Sequence, residues 1–212
     1  MKFYFAVPVV ISILLGSACK SGNNQKGGPG EESQVGTADD FVIEPGKRAG
    51  AITANVTLTD LQAIYGSDKV VLRNIYLGEG QEQEGAVIFP DMPNEIEIGW
   101  DVPANTGHPA FLRIGGKGGD WKMTNGLHIG STLAEVEKVN GKPFQLYGLW
   151  WDYGGAVSDW KGGNIKPNVN ITFGTQRTEL PDGVQGDIIL NSDDPNVQSL
   201  GLQIETIVLT FD

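Results

Sequence analysis

The chain has 212 residues, with 15 Lys and Arg against 26 Asp and Glu, a net charge of −11 and one cysteine. That acidic balance argues against nucleic acid as a partner, since its binding needs clustered Lys and Arg to displace counterions. A lone cysteine excludes an internal disulfide, and 30 glycines with 11 prolines imply many tight turns and few long helices.

In chain order, Met1-Lys2 precede an apolar run from Phe3 to Leu15, and the small residues Gly16-Ser17-Ala18 lead into Cys19. A charged start, a short apolar stretch and small residues before a cut read as a secretory signal. The run is shorter than the ~20 apolar residues a membrane-spanning helix needs. The segment Leu15-Gly16-Ser17-Ala18-Cys19 resembles the lipobox of bacterial lipoproteins. The resemblance implies cleavage before Cys19 and acylation of its thiol, with palmitate or a similar chain, and of its new amino end. Several acyl chains anchor stably where one does not, because each buried methylene contributes about 0.8 kcal/mol. The plainer alternative is an ordinary thiol after a plain signal peptide. Loss of residues 1–18 removes Lys2 and no acid, which takes the net charge from −11 to −12. Lys20 suits an outer-membrane destination by analogy with enteric lipoproteins.

Residues 19–40 hold little that can be buried and read as a flexible tether. Beyond it, two short helices are expected, at Thr57–Gly66 and Thr132–Gly141, aligned at an offset of 75 residues. Each opens on a threonine with an acid three places on, Asp60 or Glu135, the pattern of a capping box. Apolar stripes follow at Leu58, Leu61 and Ile64, and at Leu133, Val136 and Val139. The same offset pairs Ile96 and Ile98 with Ile171 and Phe173, in segments that alternate as strands do. Strands are expected at Lys69–Leu77, Ala86–Phe89, Asn94–Trp100, Pro109–Ile114, Phe144–Tyr153, Ala156–Trp160, Val169–Phe173, Val184–Leu190 and Leu202–Phe211. Equal spacing of helix and strand argues for duplication. The expected fold is α+β, with two tandem units at 41–122 and 123–212, each a short helix packed on an antiparallel sheet. Chance likeness between two ordinary capped helices is the competing account.

Residues 130–143, Gly-Ser-Thr-Leu-Ala-Glu-Val-Glu-Lys-Val-Asn-Gly-Lys-Pro, resemble the Gly-small-Thr, helix, Gly-x-Pro signature of β-lactamase-inhibitor-like domains. That superfamily includes the small lipoprotein of the outer-membrane barrel-assembly machine. The resemblance implies short helices on a sheet that shows aromatic residues to a protein partner. The folded region is also similar to uncharacterised lipoproteins of envelope-bearing bacteria.

A catalytic set is hard to assemble. The histidines are His108 and His128, and neither HxxxH nor CxxC spacing occurs. No metal or cofactor is expected. Ser131 lies near His128 but sits where a helix cap belongs. The pairs Glu82/Glu84 and Asp193/Asp194 suggest glycoside chemistry, and surface acids in an acidic protein are the plainer account. The Asn191–Asn196 loop lacks the spaced acids of a calcium loop. Gly115–Gly119 fails the phosphate-loop spacing. What remains is aromatic: Trp150, Trp151, Tyr153 and Trp160, with Asp152 among them. Strand alternation sends Trp150 and Asp152 to one face and Trp151 and Tyr153 to the other. One face would be core. The other would be a platform for protein or sugar, since exposed aromatics favour interfaces, or would be covered as well, since Trp fills a core readily in a glycine-rich sheet.

The sequence thus leads to a non-enzymatic, lipid-anchored protein of the bacterial outer membrane that binds an envelope or secreted protein, with inhibition of a secreted hydrolase as a subclass. The alternative is a carbohydrate-binding or glycoside-processing protein using paired carboxylates. Replacing Cys19 with serine is expected to release the protein from the membrane fraction and abolish palmitate labelling. Label retained by that variant refutes the lipobox.

Overall fold

The six-stranded antiparallel sheet at the centre of the structure is built from both halves of the chain. Its strands are β4 (Val70–Gly78), β5 (Gln81–Ile88), β6 (Ile96–Trp100), β7 (Pro109–Ile114), β11 (Val169–Gly174) and β13 (Gln203–Leu209), in the order β11-β13-β7-β6-β5-β4. This computed structural model describes residues 36–102, 106–116 and 118–211. Cys19 and its signal lie outside the described residues.

Period-two alternation puts two continuous aliphatic rows on one face of this sheet. One runs Val169, Leu209, Leu112, Ile98, Ala86, Leu72, and the other Ile171, Ile207, Ile114, Ile96, Ile88, Val70. All but Leu72 are buried. Each fully buried side chain of this kind contributes about 1.5–3 kcal/mol, so this face is the main source of stability.

Two small sheets complete one continuous core with it. The first joins β1 (Val42–Glu44), β2 (Arg48–Ala49), β3 (Ile52–Thr53) and β8 (Lys122–Met123), with β1 and β8 parallel. The second joins β9 (Gln145–Tyr147), β10 (Val157–Asp159) and β12 (Ile189–Asn191) in the order β10-β9-β12. Asp40, read above as the end of the tether, is held by Arg48 at 2.5 Å.

Helix α1 (Leu58–Tyr65) and helix α2 (Leu133–Asn140) form where expected, each with a complete capping box, Thr57 with Asp60 and Thr132 with Glu135. A third helix, α3 (Pro195–Gln198), is capped by Asp194. The buried Asn140 fixes the end of α2. Its amide donates to the carbonyls of Lys142 and Trp160, at 2.9 and 3.1 Å, and accepts from the Ile165 amide at 3.3 Å.

The α+β expectation of two helix-on-sheet units is overturned. The described residues are 38% strand and 12% helix, in three sheets with three helices. Strands β4–β7 of the first half and β11 and β13 of the second share one sheet. The physical reason is that a capping box is a local device and carries no information about the sheet its helix meets. Ile96 and Ile98, which the offset pairs with Ile171 and Phe173, lie in that same sheet on β6 and β11. Alternation is satisfied as well by one large sheet as by two small ones.

The opposite face of the large sheet is shaped by two glycines. Gly85 and Gly99 are register partners on β5 and β6. A Cβ on Gly85 would collide with the Ile75 side chain, and one on Gly99 with the Phe111 ring. Ile75 therefore lies fully buried on the face turned away from the aliphatic rows, and Phe111 lies across β6. The β4–β5 hairpin also curls over this face. Strands β4 and β7 are three places apart, about 14 Å in a flat sheet. Yet the Arg113 guanidinium on β7 donates to the Tyr76 carbonyl on β4 at 2.7 Å. Gly99→Ala is expected to destabilise the protein by about 1–3 kcal/mol through overpacking, read as a lower urea midpoint. A wild-type midpoint refutes this packing.

Candidate functional site

A groove of about 410 Å³ crosses the curled face. Its floor is Phe111 and Arg113 on β7, Thr206 and Val208 on β13, and Asn170 and Thr172 on β11. One wall is the end of β4, Tyr76 to Gly78; the other is Asp152, Tyr153 and Ala156. The walls meet where the Tyr153 hydroxyl donates to Glu79 at 3.0 Å. That hydrogen bond, with the carboxylate's charge, raises the Tyr153 pKa above the usual phenol value. Arg113 is already engaged on the floor. It pairs with Glu97 at 3.2 Å and lies 5.5 Å from the Phe111 ring centre.

The aromatic wall is not a strand. Strand β9 ends at Tyr147, and the chain turns through residues 148–155 before β10 begins at Val157. Trp150 has φ of 62°, in the left-handed region, so the expected alternation of faces fails there. The loop is clamped from two sides. The amides of Gly148 and Leu149 donate to Ile188 and Val184 at 2.8 Å, and that of Phe173 on β11 donates to Gly155 at 2.9 Å. Gly155 has to be glycine at φ 77°, since a Cβ would strike the Phe173 carbonyl.

This geometry sorts the aromatic residues singled out in the sequence. Trp151 and Tyr153 come together with Tyr147, with ring centres 5.4 to 6.5 Å apart, mostly edge to face. Trp151 is half-buried and its indole N–H donates to the Gly148 carbonyl at 2.9 Å. Trp150 stands 54% exposed and Tyr153 43%. Trp160 is not part of this group. It packs on Phe144 at 5.1 Å, donates to the Val169 carbonyl and lines a separate cleft of about 540 Å³. Sequence reasoning missed Tyr147, Tyr76, Glu79 and Arg113, and also Ile188 and Ile189, both exposed beside the loop. Ile189 is the register partner of Tyr147, so the two side chains share one face of the small sheet.

The other candidates have plain structural roles. Ser131 Oγ lies 3.1 Å from His128 Nδ1, but it is buried and accepts the His128 amide, which locks a turn. Asp194 is the cap of α3. Glu82 and Glu84 sit exposed on β5, where Glu82 accepts from the Asn74 amide at 3.2 Å. Among the described residues no three His, Cys, Asp or Glu side chains gather as metal ligands, and no helix is long and apolar enough to cross a membrane.

No family model, curated protein or solved structure matches this chain.

Glu79→Gln removes the charge that keeps the Tyr153 phenol protonated. The Tyr153 pKa is therefore expected to fall towards the ordinary tyrosine value. A difference ultraviolet titration of the variant against wild type reads this, and an unchanged titration refutes the contact.

Proposed function

We propose that this protein is a non-enzymatic binding module, held at the bacterial outer membrane by lipid on Cys19, that docks another envelope or secreted protein on its aromatic loop. The observation that carries the reading is one apolar strip. It runs from Ile189 through Tyr147 to Trp151 and Tyr153, and Trp150, next to it in the chain, is exposed. A contiguous exposed patch of this kind marks an interaction surface, and Trp and Tyr are the residues that dominate binding energy at interfaces. The clamped loop supports it further, since a rigid patch loses little freedom on docking. The anchor and the envelope location rest on the sequence of residues 1–20.

Sugar binding is the weaker reading. Arg113 and the Tyr153 hydroxyl, two polar groups a sugar would need in the groove, are already taken by Glu97, the Tyr76 carbonyl and Glu79. Inhibition of a secreted hydrolase rests on the resemblance of residues 130–143 alone.

The test is the double variant Trp150→Ala/Tyr153→Ala, with crosslinked capture from native membranes and thermal unfolding measured together. Both residues are exposed, and Tyr153 loses its hydrogen bond to Glu79 and its ring contacts, so the melting temperature is expected to fall only slightly. Capture is expected to fall at least about 30-fold, the equivalent of one hot spot of 2 kcal/mol. Trp151→Ala removes a hydrogen bond and two ring contacts of a half-buried side chain and lowers the melting temperature more. Undiminished capture by the double variant refutes the reading.

A further inference from the structure

We infer that the free edge of β4 is a strand-addition site for an extended, cationic segment of the docked protein. The inference rests on the protein-binding reading above and names the partner segment's chemistry.

Strand β4 is the outermost strand of the large sheet and pairs with β5 alone. The Phe89 amide donates to the Lys69 carbonyl at 2.9 Å, and 69 stands opposite 89 in the β4–β5 register. Antiparallel pairs alternate between bonded and non-bonded positions. Residues 71, 73 and 75 therefore bond to β5, and Leu72, Asn74 and Tyr76 direct their backbone groups outward. Arg113 takes the Tyr76 carbonyl. The N–H and C=O of Leu72 and Asn74, and the Tyr76 N–H, remain as an open ladder. The side chains at these three positions are all exposed, Leu72 at 49% and Tyr76 at 50%. An edge of this length with exposed apolar side chains is a template for pairing.

Charge selects the occupant. On the face carrying Leu72, Asn74 and Tyr76, the register partners of Asn74 and Tyr76 are Glu84 and Glu82, both exposed. The cation of β4, Arg73, lies on the other face, near Asp91 at 3.5 Å and Glu95 at 3.7 Å. A second copy of this chain would add β4 itself, which has no Lys or Arg on the face of Leu72, Asn74 and Tyr76 to meet these glutamates, and would bring a second molecule of net charge −11. A strand with Lys or Arg on that face meets the two glutamates across the short Asn74 side chain.

The experiment uses the full chain in detergent micelles and a nonapeptide of alternating valine and lysine. Amide hydrogen exchange is read by mass spectrometry with residue-resolved fragmentation. Exchange at Leu72 and Asn74 is expected to slow about tenfold or more when the peptide is bound. A peptide with glutamate for lysine, and one N-methylated on alternate residues, should leave it unchanged. Glu82→Lys/Glu84→Lys should reverse the preference in favour of the glutamate peptide. No slowing at those amides, slowing by the N-methylated peptide, or an unreversed preference overturns the proposal. Slowing that depends on protein concentration without peptide overturns it in favour of self-pairing. The Trp150→Ala/Tyr153→Ala variant should bind the nonapeptide as wild type does. Loss of strand addition with normal aromatic docking, and the converse, therefore identify which of the two readings fails.

Discussion

Everything distinctive about the outer face of this protein depends on two facing glycines, Gly85 and Gly99, on adjacent strands. Without side chains there, Ile75 and Phe111 drop onto the backbone of β5 and β6. The hairpin beyond them is then free to curl until Tyr76 meets Arg113. Interiors are packed as densely as organic crystals, so a single methyl at either glycine has nowhere to go. The groove, its wall at Tyr76–Gly78 and the bridge from Glu79 to Tyr153 all follow from that curl.

The two faces of the sheet thus do different work. One is aliphatic across six strands and joins the small sheets and the helices in one core. The other mixes Val87, Glu97, Arg113 and Asn170 in one row, a composition that tolerates water. The Arg113 and Glu97 side chains are only 25% and 26% exposed, so their ion pair offsets part of the cost of taking both charges out of water. Its greater effect is to hold the guanidinium in place for the Tyr76 carbonyl.

Much of the local structure was legible in the sequence. The capping boxes at Thr57 and Thr132 and the strand Pro109–Ile114 form as read. These are signals carried by three to six neighbouring residues. Strand β5 was read only from Ala86, because Gln81 to Glu84 lie in the curled hairpin and bury no regular face. The fold class was misread because the 75-residue offset links two local motifs, and the sheet that absorbs both halves is set by pairings far apart in sequence. The aromatic segment was located, but its geometry was not. A tryptophan in the left-handed region gives no sequence signal, unlike a glycine there. Glu79 lies 74 residues from Tyr153. The Gly78-Glu79-Gly80 turn could have marked a hairpin tip, though not what that tip would touch.

The clamped loop has one more consequence. Trp150 is held in a backbone conformation that disfavours non-glycine residues by roughly 1–2 kcal/mol. It stays there because hydrogen bonds to Val184, Ile188 and Phe173 fix the chain on both sides. A surface assembled in this way has already lost its conformational entropy before any encounter. Its recognition should resemble rigid-body docking, with little backbone movement between the free and bound forms. Differences in affinity among its partners would then lie mainly in how long they stay, not in how fast they arrive.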